Sequence, residues 1–193
     1  MADDKCIIRA SQGNDRMNIF ILDYDPVTAA EMYCDKHVPK MVVELYQQMG
    51  SALRRHGAND DQMPLTQSGK PLKGGYHYHP CTQWVGDSVA NYAWTWFHAK
   101  QLCIEYTLRY GKKHFCEPGI DKMGEFPIHE MFDWEASTPY AQAMPDEYKN
   151  SDAVEAYRAY YWNDKQRFAK WEKGRSAPKW WKKMQLTTQV CCV

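Results

Sequence analysis

The sequence predicts a mainly α-helical protein: a single compact helical domain with one short N-terminal strand and long loops. Apolar and aromatic residues recur at helical spacing in three long stretches. Capping residues begin or end these stretches. A chain of 193 residues is long enough for one substantial core and too short for two comfortable ones. We expect residues 17–183 to form this domain, with a flexible N-terminus (residues 1–16) and a flexible C-terminal tail (residues 184–193).

The first elements follow from local patterns near the N-terminus. Residues 17–22 are an apolar run with β-branched and aromatic members, which fits a short strand or a buried extended segment. Asp25 is a good N-cap and Pro26 suits the first helical position. The helix that follows should be kinked at Pro39. Its apolar face is expected to carry Ala30, Cys34, His37, Met41 and Leu45.

Longer loops and two further helices make up the rest of the domain. Residues 56–78 are rich in Gly, Pro, Asp and Asn, and they predict a long loop that serves as a lid. A helix is expected over residues 80–110, closed by Gly111. Residues 115–147 predict an irregular connection. Asp152 and Glu155 form a capping-box pattern at the start of a last helix over residues 153–172.

Charge is balanced overall but unevenly distributed. Lys plus Arg and Asp plus Glu each number 24. Residues 117–147 hold eight acidic residues and one basic, whereas residues 148–183 hold ten basic and four acidic, a net charge of +6. This basic, aromatic C-terminal third could face phosphate, although a solvated helix surface would have the same composition.

Localisation is expected to be cytoplasmic, in a bacterial host cell. No apolar segment typical of a signal peptide follows Met1, and no run of 18 apolar residues predicts a membrane span. The seven cysteines are odd in number and irregularly spaced, which favours reduced thiols over a disulfide framework.

Several common enzyme classes lack their usual motif. The chain has no G-x-x-x-x-G-K-[ST], no G-x-G-x-x-G, no G-x-S-x-G and no H-E-x-x-H. The zinc deaminase pattern also fails, because His-x-Glu and P-C-x-x-C are missing. P-loop hydrolysis, Rossmann redox chemistry and serine hydrolase chemistry therefore lose their sequence support.

Two short motifs concentrate thiols and imidazoles: Cys34-Asp35-Lys36-His37 and His77-Tyr78-His79-Pro80-Cys81. Cys81 is expected in the first turn of a helix, where the macrodipole favours a thiolate nucleophile. Zinc bound by Cys34, His37, His79 and Cys81 is a weaker alternative. The plain alternative is that these cysteines are small buried hydrophobic residues.

Basic side chains beside aromatic ones suggest an anion site. Arg binds phosphate or carboxylate bidentately, and Tyr and Trp stack on nucleobases. The candidate phosphate- and substrate-binding residues are Lys36, Lys40, Arg109, Lys113, Arg158 and Lys165. Solvated charge on long apolar stems is the alternative interpretation.

A string of motifs resembles a family of small proteins encoded by tailed bacteriophages. The resemblance covers residues 17–181. It lies in Asn18-Ile19-Phe20 to Asp25-Pro26, Cys34-Asp35-Lys36-His37-Val38-x-Lys40-Met41, His79-Pro80-Cys81-x-x-Trp84, Asn91-Tyr92-x-Trp94, Glu105-Tyr106-x-x-Arg109-Tyr110-Gly111-Lys112-x-His114, Ala143-Met144-Pro145-Asp146-Glu147-Tyr148-Lys149 and Tyr157-Arg158-x-Tyr160-Tyr161.

The resemblance implies a role in phage DNA metabolism, linked to hypermodification of thymine. In that pathway 5-hydroxymethyluracil in DNA is phosphorylated, and an amino acid or amine displaces the phosphate. The leading hypothesis is therefore an amino-acid:DNA transferase, with DNA and a small amine as partners, no membrane partner and no cofactor.

The residue roles in this hypothesis come from their chemistry. A thiolate of Cys81 or Cys34 would add to C6 of the pyrimidine and help expel phosphate, and His37 or His79 would act as general base. The basic side chains would hold phosphate and carboxylate. Base stacking is assigned to Trp84, Tyr92, Tyr157 and Tyr161.

Two alternatives stay open. One is a DNA glycosylase or lyase, in which Lys36 or Lys40 would form a Schiff base. The other is a non-catalytic phage protein that binds nucleic acid or a host factor through its basic C-terminal third. A helical domain whose His and Cys residues only pack is the simplest outcome.

Overall fold

The computed structural model describes residues 17–190, with side chains described as far as residue 186. The predicted mainly α-helical fold is confirmed. Within the described residues eight α-helices occur, together with one 3-10 turn at Asp146–Tyr148. The helices are α1 (Pro26–Glu31), α2 (His37–Arg55), α3 (Pro80–Val85), α4 (Val89–Tyr110), α5 (Glu117–Met123), α6 (Ile128–Met131), α7 (Ala153–Lys165) and α8 (Lys179–Val190).

The two longest helices, α2 and α4, form the centre of the domain. Helix α2 packs against α4 on one side and α3 on another, while α1 and α5 also pack on α4. Leu45, Met49 and Leu53 of α2 and Leu102 of α4 are completely buried in the resulting core. None of the described helices combines the length and the apolar composition that crossing a membrane would require.

The predicted N-terminal strand does not form. Residues 17–22 are buried but irregular, and the described part of the chain offers them no partner strand. Their backbone groups bond to side chains instead: Arg158 donates to the carbonyl of Leu22 at 2.9 Å. Between residues 17 and 190, the β-pairing is limited to one isolated bridge between Leu65 and Pro71. Of the two expected alternatives, burial of the segment is confirmed and the strand is not.

The predicted kinked helix over residues 26–45 is two helices. Asp25 caps α1 as expected, accepting from the Thr28 amide at 2.7 Å. The chain then leaves the helix at residues 32–36. The cause is the segment after α7, where the Lys170 carbonyl accepts a hydrogen bond from the backbone N–H of Asp35 at 2.8 Å. Pro39 lies in the first turn of α2, where a missing N–H costs nothing. Cys34 therefore lies on a connector, not on a helix face.

The predicted helix over residues 80–110 is also interrupted. Helix α3 ends at Gly86, and Ser88 caps α4 by accepting from the Asn91 amide at 3.1 Å. Gly111 closes α4 in the left-handed conformation (φ 69°), as expected.

The last predicted helix is shorter than expected. Asp152 caps α7 through the amides of Val154 and Glu155, but α7 ends at Lys165 instead of residue 172. Helix α8 continues through residue 190, so most of the expected flexible tail is helical. The expected flexibility of residues 1–16 and 191–193 lies outside the described residues.

Candidate functional site

The cysteines proposed as nucleophiles are buried. Cys34 and Cys81 are both almost fully enclosed, and the Sγ atom of Cys81 lies 3.7 Å from the Asn18 Oδ1 and 3.9 Å from the Tyr157 hydroxyl. Burial raises the pKa of Cys34 and raises that of Cys81 to about 11. The prediction that the start of α3 would favour a thiolate at Cys81 is therefore wrong, because desolvation outweighs the helix dipole.

The zinc alternative is also wrong. Within the described residues, no group of three or more His, Cys, Asp or Glu side chains is close enough to hold a metal ion. Tetrahedral zinc needs ligand atoms within about 2.3 Å of one point. Cys34 and Cys81 each face a different tyrosine, Tyr161 and Tyr157 respectively, instead of facing one another.

The aromatic residues assigned to base stacking are core residues. All four are buried, and their polar atoms bond to the protein: Trp84 to the Thr138 carbonyl, Tyr92 to the Met123 carbonyl and Tyr157 to the Ala141 carbonyl. Tyr161 accepts from the Cys34 amide. None of these rings presents a face that a base could reach, which corrects that assignment.

Arg109 is a structural group instead of an anion ligand. Its side chain is completely buried, and it donates to the carboxylates of Glu105 and Asp35 and to the carbonyls of Tyr33 and Glu31. All its nitrogens are therefore occupied by the protein. The assignment of Arg109 to substrate binding is wrong.

Arg158 and Lys113 also lie in positions that do not match their predicted role in binding phosphate or substrate. Arg158 holds the Leu22 carbonyl and the Asp23 carboxylate, both at the start of the domain. Lys113 is highly exposed, at 3.9 Å from Glu117, and lies on the loop after α4. Arg158 lines a separate cleft together with Arg175 and Lys179.

The remaining three predicted cations do come together, around His37. The rings of Phe20 and His37 stack at 5.3 Å, and Lys165 lies 5.4 Å from the Phe20 ring centre. Phe168 contacts the edge of His37, and Lys36 lies 4.8 Å from the Phe168 ring. The third cation is Lys40, one turn along α2 from His37. We call Lys36, Lys40 and Lys165 the lysine cluster.

His37 is buried beneath this cluster and is neutral. It is 4% exposed, and its Nδ1 atom has no partner among the described protein atoms. Burial, with the charges of Lys40, Lys165 and Lys36, lowers the pKa of His37 to about 3. The start of α2 also lacks both a side-chain cap and an acidic residue in its first turn. This concentration of positive potential suits an anion.

A buried carboxyl lies next to the cluster. Glu44 pairs with Lys40 at 2.8 Å and accepts from the Asn18 amide at 3.4 Å. Burial raises the pKa of Glu44. Glu44 is thus poised to exchange a proton nearer to neutral pH than an exposed carboxyl would be.

An open cleft of about 630 Å³ adjoins the lysine cluster. Residues 142–149 form one wall, Tyr160, Asn163 and Asp164 of α7 form another, and His79 and Pro80 complete it. Its carboxylates are Asp146, Glu147 and Asp164, of which Asp146 pairs with Lys149 at 2.7 Å. We call it the acidic cleft.

Tyr160 joins the cleft to the cluster. Its ring lines the cleft, lies 5.3 Å from Lys165 and contacts Tyr148 at 5.4 Å between ring centres. Asp164 forms an ion pair with Lys165. Negative and positive groups therefore adjoin each other across one aromatic wall.

His79 lies in the cleft but caps α3. Its Nδ1 accepts from the Cys81 amide at 3.2 Å, so in the neutral ring the proton is on Nε2. Burial lowers the pKa of His79. An imidazole in this tautomer donates from Nε2, which makes it a hydrogen-bond donor to a ligand instead of the predicted base.

The predicted loop at residues 56–78 ends in a strained segment beside the cleft. Gly74 has a φ of 80° and Tyr76 a φ of 57°, which is unusual for a residue with a side chain. Ser51 exchanges two hydrogen bonds with Gly75, at 2.7 and 2.8 Å. Tyr78, at the tip, is 95% exposed. We call residues 74–79 the lid segment.

Sequence reasoning found the lysines but overlooked the acidic and aromatic partners. Glu44 could have been found from its spacing, because His37, Glu44 and Gln48 fall on one face of a helix at intervals of seven and four. The motif at residues 143–149 carried the resemblance without an assigned role, and it lines the cleft. Comparisons of the chain with protein-family models, with curated proteins and with solved structures find no match.

Proposed function

We propose that this protein is an enzyme that transfers an amine or amino acid onto phosphorylated 5-hydroxymethyluracil in DNA. The observation that carries the proposal is the contact, through Tyr160, between the acidic cleft and the lysine cluster. The reaction brings together a cationic amine and a phosphate leaving group, which require opposite charges at adjoining positions.

The lysine cluster supports a phosphate site. Lys36, Lys40 and Lys165 surround the uncapped start of α2, and no acidic residue of its first turn competes with an anion. Positive groups placed at a departing phosphate stabilise the negative charge that grows as the C–O bond breaks. His37 underneath stays neutral, so it adds no charge of its own.

The acidic cleft supports an amine site. Carboxylates of Glu147 and Asp164 attract an ammonium group, and the partly buried ring of Tyr148 provides an aromatic face for a cation or a base. The bound ammonium first gives one proton to a cleft carboxylate, which frees the nitrogen lone pair. The nitrogen then attacks the exocyclic methylene carbon, the bond from that carbon to the phosphate oxygen breaks, and inorganic phosphate leaves.

Direct displacement replaces the covalent route through cysteine. Cys81 is a buried thiol with a raised pKa, so little thiolate is present near neutral pH. The chain does not need that thiolate if the amine attacks the methylene carbon without prior addition to C6.

Nucleoside mass analysis tests this function. Single- and double-stranded DNA containing phosphomethyluracil is incubated with the protein and a pool of amino acids and amines, then digested to nucleosides. We expect a nucleoside whose mass equals the dephosphorylated substrate plus one amine minus water. Lys165→Gln should abolish the product, and Lys112→Gln, at an exposed site after α4, should not. Unchanged nucleosides with verified substrate would refute the proposal.

A base-excising lyase is the second candidate, and the Lys40–Glu44 pair favours it. Lys40 is half exposed, and Glu44 beside it is a carboxyl with a raised pKa. In that reaction the Lys40 amine attacks C1′ and the bond from C1′ to the base breaks. The C1′–O4′ bond of the sugar then opens, with O4′ becoming a hydroxyl, and the resulting imine links the protein to DNA. Borohydride would reduce that imine to a stable cross-link. A cross-link that disappears in Lys40→Gln would establish the lyase, and its failure to form would exclude it.

A further inference from the structure

Gln48 is a buried amide with no partner in the protein. It is 0% exposed, and neither its Nε2 nor its Oε1 atom has a hydrogen-bond partner among the described residues. A buried amide normally satisfies both groups, and leaving them unpaired is unfavourable for folding. Met or Leu would fill the same helical position without that cost. The amide therefore points to a hydrogen-bonding ligand.

The position of Gln48 on α2 shows what surrounds it. Glu44, one turn earlier, bonds to Asn18, and Ser51, one turn later, bonds to Gly75. Arg55, further along the same face, donates to the Gln83 carbonyl of α3. Gln48 thus lies midway along a face of α2 that is covered by residues 17–18, by α3 and by the lid segment.

Two clefts lie close to this covered face. His79 and Pro80 line the acidic cleft. Ser51, Tyr78 and Thr82 line a second cleft of about 360 Å³. The lid segment therefore contributes to each cleft, and Ser51, one turn after Gln48, lines the second.

The lid segment is attached to α2 at Ser51. Its ends include Gly74, whose backbone approaches Ser51 so closely that a Cβ would lie 2.3 Å from the Ser51 hydroxyl oxygen. Tyr76 holds a positive φ that side chains rarely adopt. Two hydrogen bonds from one serine fasten it to α2. Release of those bonds would expose the face beneath.

We propose that Gln48 recognises the hydrogen-bonding edge of a pyrimidine base that enters beneath the lid segment. An amide presents a donor beside an acceptor, and a uracil-type base offers the complementary pair: its N3–H donates to Oε1, and its O4 accepts from Nε2. Enzymes that act on a base in DNA take it out of the stack and read its edge in this way. The identity of the ligand as a DNA base rests on the proposed function.

Binding to a single base tests the inference without requiring catalysis. The probes are oligonucleotides of abasic residues that carry one central thymine, or one central N3-methylthymine, which lacks the N3–H donor. Wild-type protein should bind the thymine probe about tenfold more tightly than the N3-methylthymine probe, because a bidentate base contact contributes roughly that much discrimination. We call the affinity for the first probe divided by that for the second the ratio. In Gln48→Met the ratio should fall to about one, since the amide is gone.

Two further variants separate recognition from folding. Gln48→Glu keeps an acceptor for N3–H but loses the Nε2 donor to O4, so it should bind both probes more weakly than wild type and still prefer thymine to N3-methylthymine. Gln101→Met makes the same exchange at a half-buried site on α4 and should keep the wild-type ratio. Gln48→Met should unfold at no lower temperature than wild type, because it removes two unpaired polar atoms from the interior.

The outcomes distinguish this inference from the proposed function. A wild-type ratio near one, no binding of the thymine probe, or a ratio unchanged in Gln48→Met would each overturn recognition by Gln48. Amine transfer measured on the same proteins is a separate readout. If transfer fails while the ratio depends on Gln48, base recognition stands and the transferase does not.

Discussion

The guanidinium of Arg109 donates two hydrogen bonds to the carboxylate of Glu105, one turn earlier on α4, at 3.0 and 2.8 Å, and both side chains are completely buried. Arg175 reaches the same carboxylate from the segment before α8, at 2.6 Å. Burial alone would raise the pKa of Glu105, but the bonds from Arg175 and Arg109 bring it below its usual value. The ion network ties α4 to the connector that contains Asp35 and to the C-terminal part of the domain.

Removal of Arg109 should therefore destabilise the fold instead of weakening substrate binding. We expect Arg109→Met to lower the free energy of unfolding by about 3–5 kcal/mol, because it leaves buried carboxylate and carbonyl groups without their donor. Denaturant unfolding measures this. Lys113→Met, at an exposed residue near the end of the same helix, should change it by less than about 0.5 kcal/mol. A loss below about 1 kcal/mol in Arg109→Met would contradict the structural role.

The buried thiols should resist alkylation in the native protein. Cys34, Cys81, Cys103 and Cys116 are all buried, and burial raises the pKa of each. Because the thiolate is the reactive form, iodoacetamide at pH 8 should label these four slowly in native protein and rapidly in denaturant. Peptide mass spectrometry resolves the individual sites. Fast native labelling of Cys81 would restore the covalent route through C6.

Local signals in the sequence predicted the caps and the helix ends correctly. Asp25, Asp152 and Gly111 each act within a few residues of their own position, so the pattern alone is sufficient. The break at residues 32–36 depends on the distant Lys170 carbonyl. A helical pattern continues through that break, because periodicity carries no information about tertiary partners.

The same limit explains the candidate site. Lys36, Lys40 and Lys165 share a charge that the sequence displays, and the fold brings them together. Composition cannot separate Arg109, which the core encloses, from Lys36, which lies at the surface. Exposure of an aromatic residue is equally a tertiary property. For this reason the predicted stacking residues are core residues, and the more exposed Tyr148 lines the cleft instead.

His37 should make the stability of the fold fall at acidic pH. Its pKa is about 3 in the folded protein and about 6.5 in the unfolded chain, so between these values only the unfolded state takes up the proton. The stability is therefore fully present above pH 6.5 and is lost as the pH falls. His37→Phe removes this proton uptake and keeps a ring against Phe20. Between pH 7 and pH 4.5, the unfolding free energy of His37→Phe should therefore rise by about 2.5 kcal/mol relative to that of wild type.

Urea unfolding at several pH values measures this gain. The same exchange at His77, which is exposed on the lid segment, is the control and should keep the wild-type pH dependence. A difference between His37→Phe and wild type that stays constant from pH 7 to pH 4.5 would show that His37 is not held neutral by burial. Buried His98, whose pKa burial lowers to about 4, contributes equally to both proteins and cancels from the comparison.

The lysine cluster should determine the salt dependence of DNA binding. Each phosphate contact adds close to one unit to the slope of log affinity against log salt, so Lys36→Gln and Lys165→Gln should each reduce that slope by about one. Fluorescence anisotropy with labelled DNA at 50–300 mM salt measures it, in the range where counterion release dominates. Arg158→Gln is the matched control: its guanidinium holds the Leu22 carbonyl and Asp23, so it should lower the unfolding temperature and leave the slope unchanged. If Arg158→Gln reduces the slope and the two lysine variants do not, the phosphate site lies beside α7 and α8 instead of at the start of α2.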